Sequence, residues 1–202
     1  MTQLDALRDV VGAFGDADID YWLFGGWAVD FYAGAVTHDH DDVDLAIWLN
    51  DMPRIESVLS AAGWTDLRDP DVDGGKAFGR EGVRLELTYL YRDDDGEIYT
   101  PLVDGTRGRW TREALGEDVA TPDGVRVRIV ALAPLTRMKA RGRGDDPLNA
   151  AKDKADHDAL RNLAENRTFS RWGLSPPRDP CGPLAAAGRW MGFAFASRRS
   201  PR

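Results

Sequence analysis

Leu23-Phe24-Gly25-Gly26-Trp27-Ala28-Val29-Asp30, with His40-Asp41-Asp42-Val43-Asp44-Leu45 shortly after it, decides how this chain is read. Tyr21 to Phe24 is short, aromatic and apolar, which predicts a strand, and it runs directly into a glycine pair. Trp27 to Tyr32 then predicts a helix closed by Gly34. Val43, Leu45 and Ile47 alternate with Asp42, Asp44 and Ala46, the period of two of a strand with one buried face. The other face carries acids.

Outward from this stretch the pattern is mixed. Leu4, Leu7, Val10, Val11 and Phe14 recur at helical spacing and predict an amphipathic helix ending near Gly15. Asp51 and Pro53 mark a second helix start, with Ile55, Val58, Leu59 and Ala62 as its apolar stripe and Gly63 as its stop. Lys76 to Arg80 and Val83 to Tyr89 predict a hairpin across Glu81-Gly82, followed by the acidic turn Asp93 to Gly96. Val119-Ala120 and Val125 to Val130 predict a strand pair around Thr121 to Gly124. Helices about Leu132 to Lys139 and Asn149 to Asn166 follow, the second with Leu160 and Leu163 on its inner face. This order predicts an α+β fold: a mixed sheet with packed helices (residues 1–130), a C-terminal helical section (131–166) and a disordered tail (167–202) rich in Pro, Arg, Ser and Gly.

Composition narrows the function. At 43% hydrophobic and 30% charged, the chain has the make-up of a globular protein. No stretch has the apolar length of a membrane span, and Met1 to Val10 carries acids without a signal core, so a cytoplasmic location is expected. A single cysteine, Cys181, excludes an intrachain disulfide and has no histidine nearby for a zinc site. The net charge of -8 disfavours nucleic acid, whose affinity depends on neutralising phosphates, and favours a neutral or cationic small partner.

Asp42 and Asp44, two apart on a strand, project side by side, a repulsive arrangement on an element that disfavours Asp. Magnesium, a hard cation held by one or two carboxylates plus substrate phosphates, satisfies such a pair; a solvated acidic edge is the ordinary alternative. Glu86, outward on a later strand, raises the weight of the first reading, because three acids on neighbouring strands can hold two metal ions, or one metal and a general base, for in-line displacement at phosphorus. Gly25-Gly26 between strand and helix lets backbone N–H groups approach a phosphate, or is simply a tight turn.

Together these residues resemble the signature of the aminoglycoside and lincosamide nucleotidyltransferases, small members of the DNA polymerase beta-like superfamily. The resemblance takes in the layout of about the first 165 residues, including the late Lys152-Asp153-x-x-Asp156 helix. It implies that Asp42 and Asp44 bind magnesium, that Gly25 and Gly26 lie against the triphosphate, and that Glu86 is general base for the acceptor hydroxyl. The expected co-substrate is a nucleoside triphosphate, with ATP as AMP donor; the expected acceptor is a hydroxylated antibiotic. Two departures stand out: His38 where relatives carry arginine, and Glu86 where the aminoglycoside enzymes carry aspartate. His40 either assists the nucleotide site by orienting an aspartate or fills a polar turn. Asp30 either contacts the acceptor or is a surface acid. Lys139 is a candidate phosphate ligand, whereas Trp27 and Trp64 are expected in the core. The acids Asp30, Asp39, Asp41 and Asp93 to Asp95 favour a polycationic aminoglycoside over a lincosamide. A lincosamide, protein or RNA acceptor and a non-catalytic scaffold remain the alternatives.

Overall fold

The computed structural model describes residues 1–70, 72–120, 126–140 and 147–171. Chain order is α1 (Gln3–Asp16), β1 (Tyr21–Phe24), α2 (Gly25–Ala33), β2 (Val43–Trp48), α3 (Met52–Ala61), β3 (Thr65–Asp66), β4 (Gly75–Arg80), β5 (Val83–Arg92), β6 (Ile98–Pro101), β7 (Arg107–Trp110), β8 (Leu115–Ala120), β9 (Arg126–Val130), α4 (Leu132–Lys139) and α5 (Pro147–Arg171). The strands form one mixed sheet in the order β3-β4-β5-β2-β1-β9-β8, with β6 and β7 continuing from the far half of β5. This is the α+β architecture expected of the sequence.

The centre of the sheet sets the site. β1 and β2 are antiparallel, pairing Leu23 with Leu45 and Phe24 with Asp44, while β2 and β5 are parallel, pairing Asp44 with Glu86. Val43, Leu45, Ile47, Leu85 and Leu87 turn the same way and are at most 1% exposed, packed in one core with Leu7, Val10 and Phe14 of α1 and Ile55 and Leu59 of α3. Each such side chain contributes about 1.5–3 kcal/mol by burial. Because successive strand residues alternate faces, the same core that takes Val43, Leu45, Leu85 and Leu87 commits Asp44 and Glu86 to the opposite face.

Local chemistry explains the ends. Thr2 caps α1, accepting from the Asp5 N–H while the Asp5 carboxylate accepts from Thr2, a reciprocal capping box. The β4–β5 hairpin turns on Glu81 and Gly82, both at positive φ (49° and 81°), the geometry of a two-residue type I′ turn. At α3 the expected Asp51 cap is absent: Asp51 ends a 3-10 turn, Leu49–Asp51, and makes no capping hydrogen bond, so Pro53 near the helix start sets the boundary. Short strands β3, β6 and β7 were not foreseen. α5 continues through Arg171, past the expected end at Asn166; Leu160 on it is buried and Leu163 packs against the core. Thr121 to Gly124 and residues 172–202 lie outside the described residues.

Candidate active site

Phe24, Gly25, Asp42, Asp44, Glu86, Leu135, Met138, Lys139 and Asp153 line a cavity of about 370 Å³. At its floor one carboxylate oxygen each from Asp42, Asp44 and Glu86 lie within 4.8 Å of one another. Adjacent unit charges at that spacing repel by roughly 3 kcal/mol at an effective dielectric near 20. An all-oxygen, three-carboxylate donor set of this kind fits a hard divalent cation.

Glu86 is not loosely held. Arg84, two residues earlier on the same face of β5, donates from Nε and Nη2 to Glu86 Oε1, both at 2.6 Å, and its Nη2 also reaches Asp69 Oδ2 at 2.7 Å. Neither Arg84 nor Asp69 was singled out in the sequence, although the i, i+2 spacing of Arg84 and Glu86 carried the signal for the first.

The glycine pair is shaped by its neighbours. Gly25 has φ +71°, and a Cβ there would stand 1.8 Å from Asp44 Oδ2; a Cβ on Gly26 would stand 2.4 Å from His40 Nδ1. Both glycines therefore make room for site side chains, a reason separate from any approach to phosphate. α2 begins at Gly25, so its N-terminal N–H groups lie beside Asp44.

His40 and Asp30 form a buried pair, side chains 5% and 2% exposed, with Nε2 donating to Asp30 Oδ2 at 2.6 Å. The other Asp30 oxygen accepts from the Thr37 N–H (2.9 Å) and hydroxyl (2.6 Å). Asp30 is thus not a surface acid: its carboxylate is buried and held by His40 and Thr37. His40 is also fixed by its ring against Trp27 (4.9 Å) and by its carbonyl, which accepts from Gln3 Nε2 at 2.9 Å. Trp27 and Trp64 are in the core, and Trp27 Nε1 donates to Gln3 Oε1.

A second, small cavity of about 30 Å³ abuts the first, walled by Gly26, His38, His40, Asp41, Asp42, Asp44, Lys139 and Lys152. Lys139 lines both cavities, and its Nζ lies 2.6 Å from Asp156, which is fully buried on α5. Lys152 Nζ reaches Asp41 at 2.5 Å. Burial, reinforced by the neighbouring His40, pushes the His38 imidazole below its ordinary range. An imidazole shifted in that direction does not replace the fixed charge of an arginine.

The acids near the site in sequence take different positions. Asp30 is buried against His40, Asp41 is bound to Lys152, and Asp93 pairs with Arg107 beyond the end of β5, roughly 20 Å from Glu86 at 3.3 Å per residue. The acid that does share the cavity with the triad is Asp153. A larger and more open depression of about 690 Å³, between Trp22, Trp48, Arg92 and Arg112, lies at the other end of β1 and β2 and contains none of the triad.

The profile of the family described as Aminoglycoside-2''-adenylyltransferase matches residues 6–159. A 2''-aminoglycoside nucleotidyltransferase of Escherichia coli is 29% identical over 97 residues, 48% of this chain and 54% of that one. One from Klebsiella pneumoniae is 31% identical over 113 residues, 56% of this chain and 52% of that one. The chain thus spans about half the length of the curated relatives it matches. In fold it is similar to a lincomycin-bound lincosamide antibiotic adenylyltransferase (TM-score 0.63, 17% identity, 78% of this chain and 95% of that one). It is similar also to ANT(2")-Ia in complex with adenylyl-2"-tobramycin (TM-score 0.59, 17% identity, 86% and 99%). With the match running from α1 into α5 and across every acid of the triad, the chain belongs to the aminoglycoside-2''-adenylyltransferase family.

Proposed function

We propose that this protein transfers AMP from ATP to a hydroxyl of an aminoglycoside in a magnesium-dependent reaction, and so confers resistance to it. The observation that carries the reading is the convergence of Asp42, Asp44 and Glu86 within 4.8 Å on the floor of a cavity that also holds Gly25 and Lys139.

Asp42 and Asp44 are the residues that would hold magnesium, whose chemistry is to neutralise charge on the phosphate oxygens and leave the α-phosphorus open to attack. Gly25 and Gly26 bring the start of α2 to the phosphates, and Lys139 adds a positive charge beside them. Glu86 takes the proton of the acceptor hydroxyl while its oxygen attacks the α-phosphorus in line, the bond to the β-phosphate breaks, and pyrophosphate leaves. Positioning and electrostatics supply most of the acceleration. Asp42, Asp44, Glu86 and Asp153 against Lys139 leave the cavity acidic, which supports an acceptor carrying ammonium groups.

The test is incubation with ATP, magnesium chloride and a panel of aminoglycosides and lincosamides, read by mass spectrometry for AMP adducts and by pyrophosphate release. An adduct on an aminoglycoside that vanishes with EDTA is expected. Absence of any adduct across the panel would overturn the reading.

A further inference from the structure

Asp156 is 0% exposed, yet it carries a carboxyl group and lies on α5, outside the sheet that builds the triad. A buried carboxylate is costly unless paired. Its oxygens face Lys139 Nζ, on the last turn of α4, at 2.6 Å, and, farther off, His38 Nδ1, in the loop before β2, at 3.8 Å, a nitrogen that lies 3.0 Å from the Thr37 hydroxyl. Both side chains belong to the wall of the small cavity beside Asp42 and Asp44, and Lys139 faces the larger cavity as well. Lys139 is itself only 11% exposed, so its ammonium group is directed by Asp156 rather than by solvent. One turn earlier on α5, Lys152 reaches the same cavity and binds Asp41.

We propose that Asp156 is a positioning residue: it draws Lys139 onto the wall beside the acidic triad, so that α5 sets the positive charge facing the β- and γ-phosphates of the nucleotide. Without it the Lys139 stem, with its several rotatable bonds, loses the contact that selects one orientation. This rests on the nucleotide reading above, and assigns the phosphate side of the site to a residue that touches no substrate.

The test is a double-mutant cycle on the full chain with Lys139→Met, Asp156→Asn and the pair. Two probes are titrated with magnesium present: the non-transferable adenosine 5'-(α,β-methylene)triphosphate, and AMP, which lacks the β- and γ-phosphates. Each single variant is expected to bind the triphosphate analogue about tenfold or more weakly, the loss of one charge-assisted contact. The pair is expected to bind it no more weakly than Lys139→Met, and AMP affinity should be unchanged throughout. Additive losses, an unaltered Asp156→Asn, or an equal loss for AMP would overturn the proposal. If Asp156→Asn does not fold, the double variant, which removes both buried charges, is compared with Lys139→Met; a further loss of analogue affinity then overturns it. Wild-type protein that binds neither probe would overturn the nucleotide reading itself.

Discussion

Asp44 and Glu86 stand opposite each other in register on the parallel strands β2 and β5, and Asp44 also faces Phe24 on β1. Their carboxylates therefore converge by backbone pairing, before any ligand is present. Asp42→Asn and Asp44→Asn should each abolish transfer while leaving the metal-free fold intact or slightly stabilised, because each removes one charge from a self-repelling group. Relief of about 1 kcal/mol would raise Tm by roughly 2–4 °C in a chain of this size. Calorimetry with and without magnesium checks this: the wild type should gain stability from magnesium and the variants should not.

Gly25→Ala should fail twice over. A non-glycine residue at positive φ costs about 1–2 kcal/mol, and the new Cβ, 1.8 Å from Asp44 Oδ2, must displace the Asp44 carboxylate. Transfer should be lost and Tm lowered. Gly26→Ala, pressing on His40 rather than on Asp44, should loosen the His40–Asp30 pair and reduce turnover less severely. Equal activity in Gly25→Ala and the wild type would refute this packing account.

Glu86→Gln should lower kcat by about 10²–10⁴-fold with little change in nucleotide affinity, the usual contribution of a general base. Arg84→Met should lower kcat less, since it leaves the base but releases the carboxylate that Arg84 and Asp69 hold in place. Glu86→Asp, whose shorter arm cannot keep both the Arg84 contact and its place beside Asp44, should resemble Arg84→Met. Steady-state kinetics with nucleotide and acceptor varied separately would sort these. Loss of nucleotide binding with kcat preserved at saturation would make Glu86 a metal ligand instead of the base.

Period-two alternation made β2 and β5 legible in the sequence, and with them the faces of Asp44 and Glu86; Asp42, one residue before β2, and the β2–β5 pairing that joins the three were supplied by the fold. What surrounds the triad was not legible. The sequence leaves Asp30 open between an acceptor contact and a surface acid; its burial depends on His40 and Thr37, from a loop whose path has no periodic signal. Arg84–Asp69, Lys139–Asp156 and Lys152–Asp41 each join segments 15 to 111 residues apart or on separate helices, and no local pattern encodes such pairings. β3, β6 and β7 are too short, at two to four residues, for alternation to stand out from the turns between them.

The acceptor side yields the last prediction. Of the acids that suggested a polycation, Asp30 is buried against His40 and Asp93 pairs with Arg107 beyond β5, while Asp153, from α5, lines the cavity with Asp42, Asp44 and Glu86. On the wall beside the triad, the Asp153 carboxylate adds to the negative field that draws an ammonium-bearing acceptor. Asp153→Asn should therefore raise KM for an aminoglycoside several-fold, about the 1 kcal/mol of a partly exposed charge contact, and leave KM for ATP unchanged. Affinity for the aminoglycoside should also fall as salt rises, because charges more than about 8 Å apart are screened at physiological ionic strength. Measuring KM for one aminoglycoside and one lincosamide across a salt series, in the wild type and in Asp153→Asn, separates the cases. A salt-independent KM, or a lincosamide preferred at every ionic strength, would sink the cationic acceptor.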